Sequence, residues 1–345
     1  MDAPPALQIR KPRHDDRPIW DVLFGIFGYP AVLVAHKLKL FPLLAEKPLT
    51  ISELCDALKI ERRPAEALLA VCASLGFIQL VEGRYATTPL ADDYLLESSP
   101  ASFCGYLDLV ANNFPVWSVD SLTKAVLTNA PQAYGGGDIF KTHEERAQFA
   151  RAFTLAMHGH SMGPAFFWPD KVDLSRHRVM LDIGGGSGCH SIGAALRWPN
   201  LQAIVFDLAP VCEVAEEFIR QYGLAGRIKT AVGDMWEEGL FPSADAHFYS
   251  VIYHDWPPEK CRFLTRKSFD SLPSGGRIIL HEMLFHDDKT GPFPVAAFNI
   301  TMLLWVTGQQ YSRRELAEML AEAGFGDIQV TPTFGYWSIV TGVKP

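Results

Sequence analysis

The chain has 345 residues, 48% hydrophobic and 20% charged, enough to bury a large core and long enough for two domains. Its formal charge is -8 with no long Lys/Arg run, so it lacks the basic face that nucleic-acid phosphates demand, and nucleic acid is not expected as a partner. Six scattered cysteines (Cys55, Cys72, Cys104, Cys189, Cys212 and Cys261) form no CxxC pair and read as reduced packing residues, which suits the cytoplasm.

Met1 to Arg17 is rich in proline and charge without an apolar core, so it is expected to be neither a signal peptide nor a membrane span. No apolar run of about 18 residues is expected elsewhere, and no membrane partner. Pro18 to Leu44 is apolar and helix-compatible, with Trp20, Leu23, Phe24, Phe27, Val32, Val34 and Leu40 making it hydrophobic nearly all round. Such a segment is expected to bury itself against another protein surface. A winged-helix pattern follows. Thr50 caps a helix over Ile51 to Lys59, with Glu53 completing a capping box, and a second helix over Glu61 to Leu75 carries apolar Ala65, Leu68, Leu69, Val71 and Cys72. Gly76 ends it before short strands at Phe77 to Leu80 and Arg84 to Thr87. Winged helices commonly read DNA, but from Thr50 to Pro100 eight acids stand against four basic residues, a poor balance for phosphate contacts. The module is therefore expected to serve dimerisation, making the chain a homodimer.

From Ser102 to Ser161 the pattern is helical, broken by a loop from Asn129 to Asp138 that holds Pro131 and three glycines at 135–137. Strand-like runs then alternate with helices. The first ends in Leu181-Asp182-Ile183-Gly184-Gly185-Gly186-Ser187-Gly188. A dinucleotide fingerprint wants a third glycine three positions beyond the second, where this chain has Cys189. Glycines at every second place after an acid instead leave bare backbone for an amino-acid moiety and an adenosine, the pattern of S-adenosylmethionine. Asp182, Gly184 and Gly186 are the expected contacts in this loop. Gln202 to Asp207 ends a second strand about 20 residues on, where a carboxylate can accept from both ribose hydroxyls, with Leu208 beside it. Ile228 to Met235 gives a third, ending in Gly233-Asp234-Met235, where Asp234 can accept from an adenine amino group and Met235 can pack on the ring.

A fourth strand over Ala246 to Tyr253 leads into His254-Asp255-Trp256, with Ser250 and Tyr253 expected on the cofactor side and a helix starting at Pro257. A fifth, Gly276 to His281, is followed by Glu282. The chain closes with a helix over Ser312 to Ala323 and strand-like runs at Ile328 to Pro332 and Gly335 to Thr341. This alternation indicates an α/β fold with a doubly wound, mostly parallel sheet whose ligands bind beyond the strands' carboxyl ends. At that edge a neutral His254 is suited to take a proton from a hydroxyl that attacks a methyl group, and Glu282 is placed to orient it. His281 and His286 are read as non-catalytic. A metal held by His254 and Asp255 would need a second histidine ligand at strand or helix spacing, which is not evident, so no metal is expected.

These motifs together resemble the plant-type and acetylserotonin-type small-molecule O-methyltransferases, over roughly residues 18 to 345. The resemblance implies a mainly helical, winged-helix dimerisation domain, here placed at 1–108, and a Rossmann-like S-adenosylmethionine-dependent catalytic domain at 109–345. It matches His254 to the catalytic base, Glu282 to its first flanking acid, and Gly184, Asp207, Asp234 and Met235 to cofactor contacts. It also exposes two departures. Gln310 stands where plant members carry a second flanking glutamate, and Ser250 where many carry a lysine. Gln310 can share a hydrogen bond with the base but adds no charge. The acceptor pocket is expected at the domain junction. Candidates are Met157, His160, Ser161, Phe166 and Trp168 on one side and Asn299, Met302, Leu303 and Trp305 on the other, with Asp255 beside the base. The expected activity is methylation of a hydroxyl on an aromatic or conjugated small molecule in specialised-metabolite biosynthesis. Methylation at carbon or nitrogen, or a non-catalytic binding homologue, is the alternative.

Overall fold

The computed structural model describes residues 11–137, 139–140 and 147–345, so residues 1–10 of the proline- and charge-rich N-terminal stretch and Asp138 of the expected loop lie outside it. The chain divides into two compact units, Met1–Leu96 and Glu97–Pro345. The division falls ahead of the expected 108/109 boundary, because the helix Cys104–Asn112 packs within the second unit. Its Gly105 lies so close to the helix Ala147–Ala165 that an added Cβ would sit 3.3 Å from the Leu155 carbonyl oxygen.

In the first unit the apolar stretch is three helices, α1 (Arg17–Gly25), α2 (Gly28–Lys37) and α3 (Leu40–Glu46), with Lys39 in a left-handed conformation between the last two. Leu33, Leu40, Phe41 and Leu44 are buried, whereas Ile19, Val22, Leu23, Phe24, Ile26 and Phe27 are each more than half exposed. Residues 17–37 are also long and apolar enough by composition to cross a membrane, which corrects the expectation that no such run exists. The winged-helix reading holds in detail. Thr50 and Glu53 form both bonds of the capping box at the start of α4 (Ile51–Leu58), with Thr50 N donating to Glu53 Oε2 at 2.7 Å. After α5 (Arg62–Ser74), β1 (Ile78–Val81) and β2 (Arg84–Thr87) pair antiparallel.

The second unit is built on a seven-stranded sheet of order β5-β4-β3-β6-β7-β9-β8. These are β3 (Val179–Ile183), β4 (Gln202–Asp207), β5 (Ile228–Val232), β6 (Ala246–Ser250), β7 (Arg277–Met283), β8 (Gly326–Pro332) and β9 (Trp337–Val343). The first five in chain order are parallel, and β9 pairs antiparallel with both β7 and β8. Apolar side chains leave each strand on alternate faces. Met180, Val205, Phe248 and Ile279 enter one core while Leu181, Tyr249 and Leu280 enter the other, which is why these strands read as continuous hydrophobic runs. The strand order reverses at β3, between β4 and β6, and ligands bind beside such a switch point.

Candidate active site

The glycine loop between β3 and the helix Cys189–Arg197 shows why its glycines alternate. Gly184, Gly186 and Gly188 all have left-handed φ, at 65°, 56° and 74°, a conformation that costs other residues strain. Gly186 has open space where a Cβ would stand. Asp207 holds this loop: its Oδ2 accepts from Gly186 N at 2.9 Å and its Oδ1 from Leu208 N at 2.7 Å. Asp182 is buried behind the loop, accepts from Ser191 Oγ at 2.8 Å, and is pushed by burial up to about 7. Burial likewise raises Asp207 to about 6.

The strand β6 ends at Ser250, earlier than the sequence suggested, and Val251 then adopts φ 51°. A left-handed β-branched residue is strained, and here it turns the chain from the strand into a 3-10 turn, Tyr253–Asp255, that carries His254. Glu282 lies within β7 rather than after it, and its Oε1 accepts from Ile252 N at 3.1 Å and Tyr253 N at 3.0 Å. This one carboxylate therefore fixes the turn as well as facing His254, with Oε2 3.3 Å from its Nδ1. Gln310 Nε2 lies 3.0 Å from the same Nδ1, and Asp255 Oδ1 lies 3.5 Å from His254 Nε2. Phe298 meets the imidazole edge to face at 5.2 Å. Burial, reinforced by nearby His160, lowers His254 to about 3, so the ring is neutral at physiological pH. Burial raises Glu282 to about 8 and holds Asp255 well above the usual carboxylate range.

The loop and the histidine share one cavity of about 390 Å³, whose described lining lies entirely within the second unit. Asp182, Gly184, Gly186, Asp207, Leu208, Gly233, Asp234, Met235 and Ser250 line it, as do His254, Asp255, Met157 and Met302. Tyr253 does not. Its ring is fully buried and its hydroxyl pairs with Thr265 Oγ1 at 2.8 Å, because the turn sends His254 toward the cavity and its neighbour into the core. His160 is packed among Tyr106, Phe298 and Trp337 instead of facing the cavity. Asn299 accepts from Gln310 N at 2.8 Å and so supports that loop. Glu282 and Gln310 stand behind His254 rather than on the cavity wall. Trp168 is buried against Phe248, and Phe166 is exposed.

Sequence reasoning missed the aromatic wall made by Phe140, Trp236, Trp256 and Phe298. Trp256 and Trp236 meet edge to face at 4.7 Å, and Lys260 Nζ lies 3.9 Å from the Trp256 ring centre and 4.5 Å from that of Trp236. Trp256 was legible, since it follows His254 and Asp255 directly. Phe298 carried a weaker signal, one helical turn before Met302.

The residues at the glycine loop suit S-adenosylmethionine: bare backbone, a carboxylate next to it, and an acid and a thioether at the end of β5 beside flat rings. The family models agree. An O-methyltransferase domain matches residues 119–326 and an O-methyltransferase dimerisation domain matches residues 20–97. The chain belongs to the O-methyltransferase family. Its members use S-adenosylmethionine as methyl donor, and this O-methyltransferase carries the family's dimerisation domain. The 3-hydroxy-5-methyl-1-naphthoate 3-O-methyltransferase of Streptomyces sahachiroi is 33% identical over 327 residues, 94% of either chain. Acetylserotonin O-methyltransferase of Bos taurus is 30% identical over 339 residues, 93% of this chain and 95% of its own. The crystal structure of human N-acetylserotonin methyltransferase with SAM shares the fold at TM-score 0.83 and 24% identity, covering 97% of this chain and 99% of that one.

Proposed function

We propose that this enzyme methylates a hydroxyl group on a flat aromatic or conjugated small molecule of specialised metabolism, with His254 as general base. The observation that carries the reading is the single cavity lined by the glycine loop, by His254 and by apolar rings. The bound donor supplies an electrophilic methyl on a sulfonium. Gly184 and Gly186 would lie against its amino-acid end, Asp207 would accept from the ribose hydroxyls, and Asp234 and Met235 would hold the adenine. On the acceptor side Met157, Phe298 and Met302 sandwich a ring, and His254 Nε2 takes the hydroxyl proton as the oxygen attacks. Glu282 keeps the ring oriented. The six cysteines are free thiols, which favours the cytoplasm.

A methyl-transfer screen of hydroxylated aromatics, read by product mass and position, is expected to give O-methyl ethers. Products methylated only at nitrogen or carbon would overturn the assignment. Asp207→Ala is expected to weaken S-adenosylhomocysteine binding by about 10–150-fold, the equivalent of about 1.5–3 kcal/mol for hydrogen bonds to a charged group. Calorimetry checks this, and an unchanged affinity would remove Asp207 from the ribose site. We further infer a homodimer joined through the exposed apolar face of α1 and the winged helix, since contiguous patches of that kind mark interfaces. Light scattering at micromolar concentration should give twice 38.3 kDa, and a single 38.3 kDa species would contradict it.

A further inference from the structure

The imidazole of His254 has one proton to place when neutral, and its surroundings make two competing claims on where it goes. For Nε2 to accept a proton from a hydroxyl it must be bare, so the ring's own proton must sit on Nδ1. Yet the Gln310 amide nitrogen stands 3.0 Å from Nδ1, and an N–H there donates to a bare Nδ1 and forces the proton onto Nε2. In that arrangement Glu282 Oε2 and Gln310 Oε1 are both buried without a hydrogen-bond partner. Turning the amide by half a rotation exchanges two groups of nearly equal size and puts Oε1 where Nε2 was. The Nδ1 proton then has two acceptors, Gln310 Oε1 and Glu282 Oε2, the latter at 3.3 Å.

We propose that Gln310 is a positioning residue that selects the tautomer of His254. With its amide oxygen toward Nδ1 the ring presents a bare Nε2 and can act as base, and with its amide nitrogen there it cannot. This rests on His254 being the base. The rest of Gln310 is pinned, 1% exposed with its backbone N–H bound to Asn299 Oδ1, so the terminal amide is the part free to turn. The groups facing the ring from each packed element are Glu282 of β7, Asp255 of the same turn, Phe298 of the helix Phe293–Trp305, and the charge-sensitive His160 of the long helix before β3. An ionised carboxylate at position 310 would offer only acceptors and abolish the choice. A glutamine keeps two states, each leaving a different polar atom unmatched.

The test is nitrogen NMR of the full-length protein labelled with [15N]histidine and bound to S-adenosylhomocysteine, at a pH above the value of about 8 at which Glu282 becomes charged, the His254 signals being assigned by their loss in His254→Asn. Wild-type protein is expected to show both tautomers, averaged or resolved. Gln310→Glu is expected to collapse them to the Nδ1–H form, and so is Gln310→Met, which keeps the volume and removes the donor should the buried acid prevent folding. Wild-type protein showing a single Nδ1–H tautomer, or variants retaining the wild-type shifts, would overturn the proposal. No acceptor is needed, so a failure of the methyl-transfer screen and a failure here are read separately.

Discussion

His254→Ala is expected to lower turnover by about 10²–10⁴-fold on a phenolic acceptor at neutral pH, with S-adenosylhomocysteine affinity nearly unchanged. In the proposed assignment Gly184, Gly186, Asp207, Asp234 and Met235 hold the donor and His254 does not, so removing the imidazole should leave donor binding intact. Loss should shrink as pH rises toward the acceptor's own pKa, because solution then supplies the oxyanion. In wild-type enzyme the pH dependence follows from two burial effects. Lowering His254 to about 3 keeps it unprotonated from there upward, so no inflection near the ordinary histidine value of about 6.5 is expected. Glu282 titrates near 8, protonated below and charged above, and the charged form adds a second acceptor for the Nδ1 proton beside the Gln310 amide oxygen, whereas the protonated carboxyl can donate to Nδ1 instead. Turnover should therefore climb as pH rises through about 8 on a phenol that itself titrates at about 10. If His254→Ala kept more than about half of wild-type turnover at neutral pH, proximity alone would drive the reaction and the base would be misassigned.

Gly308→Ala should be comparably damaging although Gly308 does not line the cavity. A Cβ there would run into the His254 carbonyl oxygen, the Asp255 carbonyl carbon and the Trp256 nitrogen, all backbone atoms in or just after the turn that carries His254. Backbone cannot swing aside as a side chain can. Overpacking of this kind costs about 1–3 kcal/mol, and a displacement of about 1 Å at a reacting group costs about 10²-fold in rate. Expected together are a lowered melting temperature and a turnover reduced by about two orders of magnitude, while Gly226→Ala, with nothing within 4 Å of its Cβ, stays near wild type. Full turnover in Gly308→Ala would mean that the turn tolerates movement and that the placement of His254 is less exacting than its contacts suggest.

Local chemistry made much of this molecule readable from the chain. The capping box at Thr50 and Glu53, the left-handed glycines at 184, 186 and 188, and the strand ending at Asp207 each follow from short-range preferences of a few neighbouring residues. Those preferences act wherever the residues sit, so the order of elements, the sheet and the cofactor loop could be written down without coordinates. Approaches between segments distant in sequence could not. Tyr253 and His254 are adjacent, yet a left-handed Val251 sends one into the core and the other toward the cavity, and nothing in the valine announces it. His160 reads as a pocket residue until Tyr106, Phe298 and Trp337 are seen around it. Gln310 is 56 residues from His254 along the chain, and whether its amide donates or accepts depends on a 3.0 Å contact that only the packed structure creates. The sequence by itself determined the family, the fold and the kinds of residue at the site, because backbone preference and apolar patterning are local. Tertiary structure decided which of those residues face the cavity and which stand behind it, because that turns on side-chain direction and on backbone approaches such as Gly308 against the His254 turn, set by packing across the whole unit.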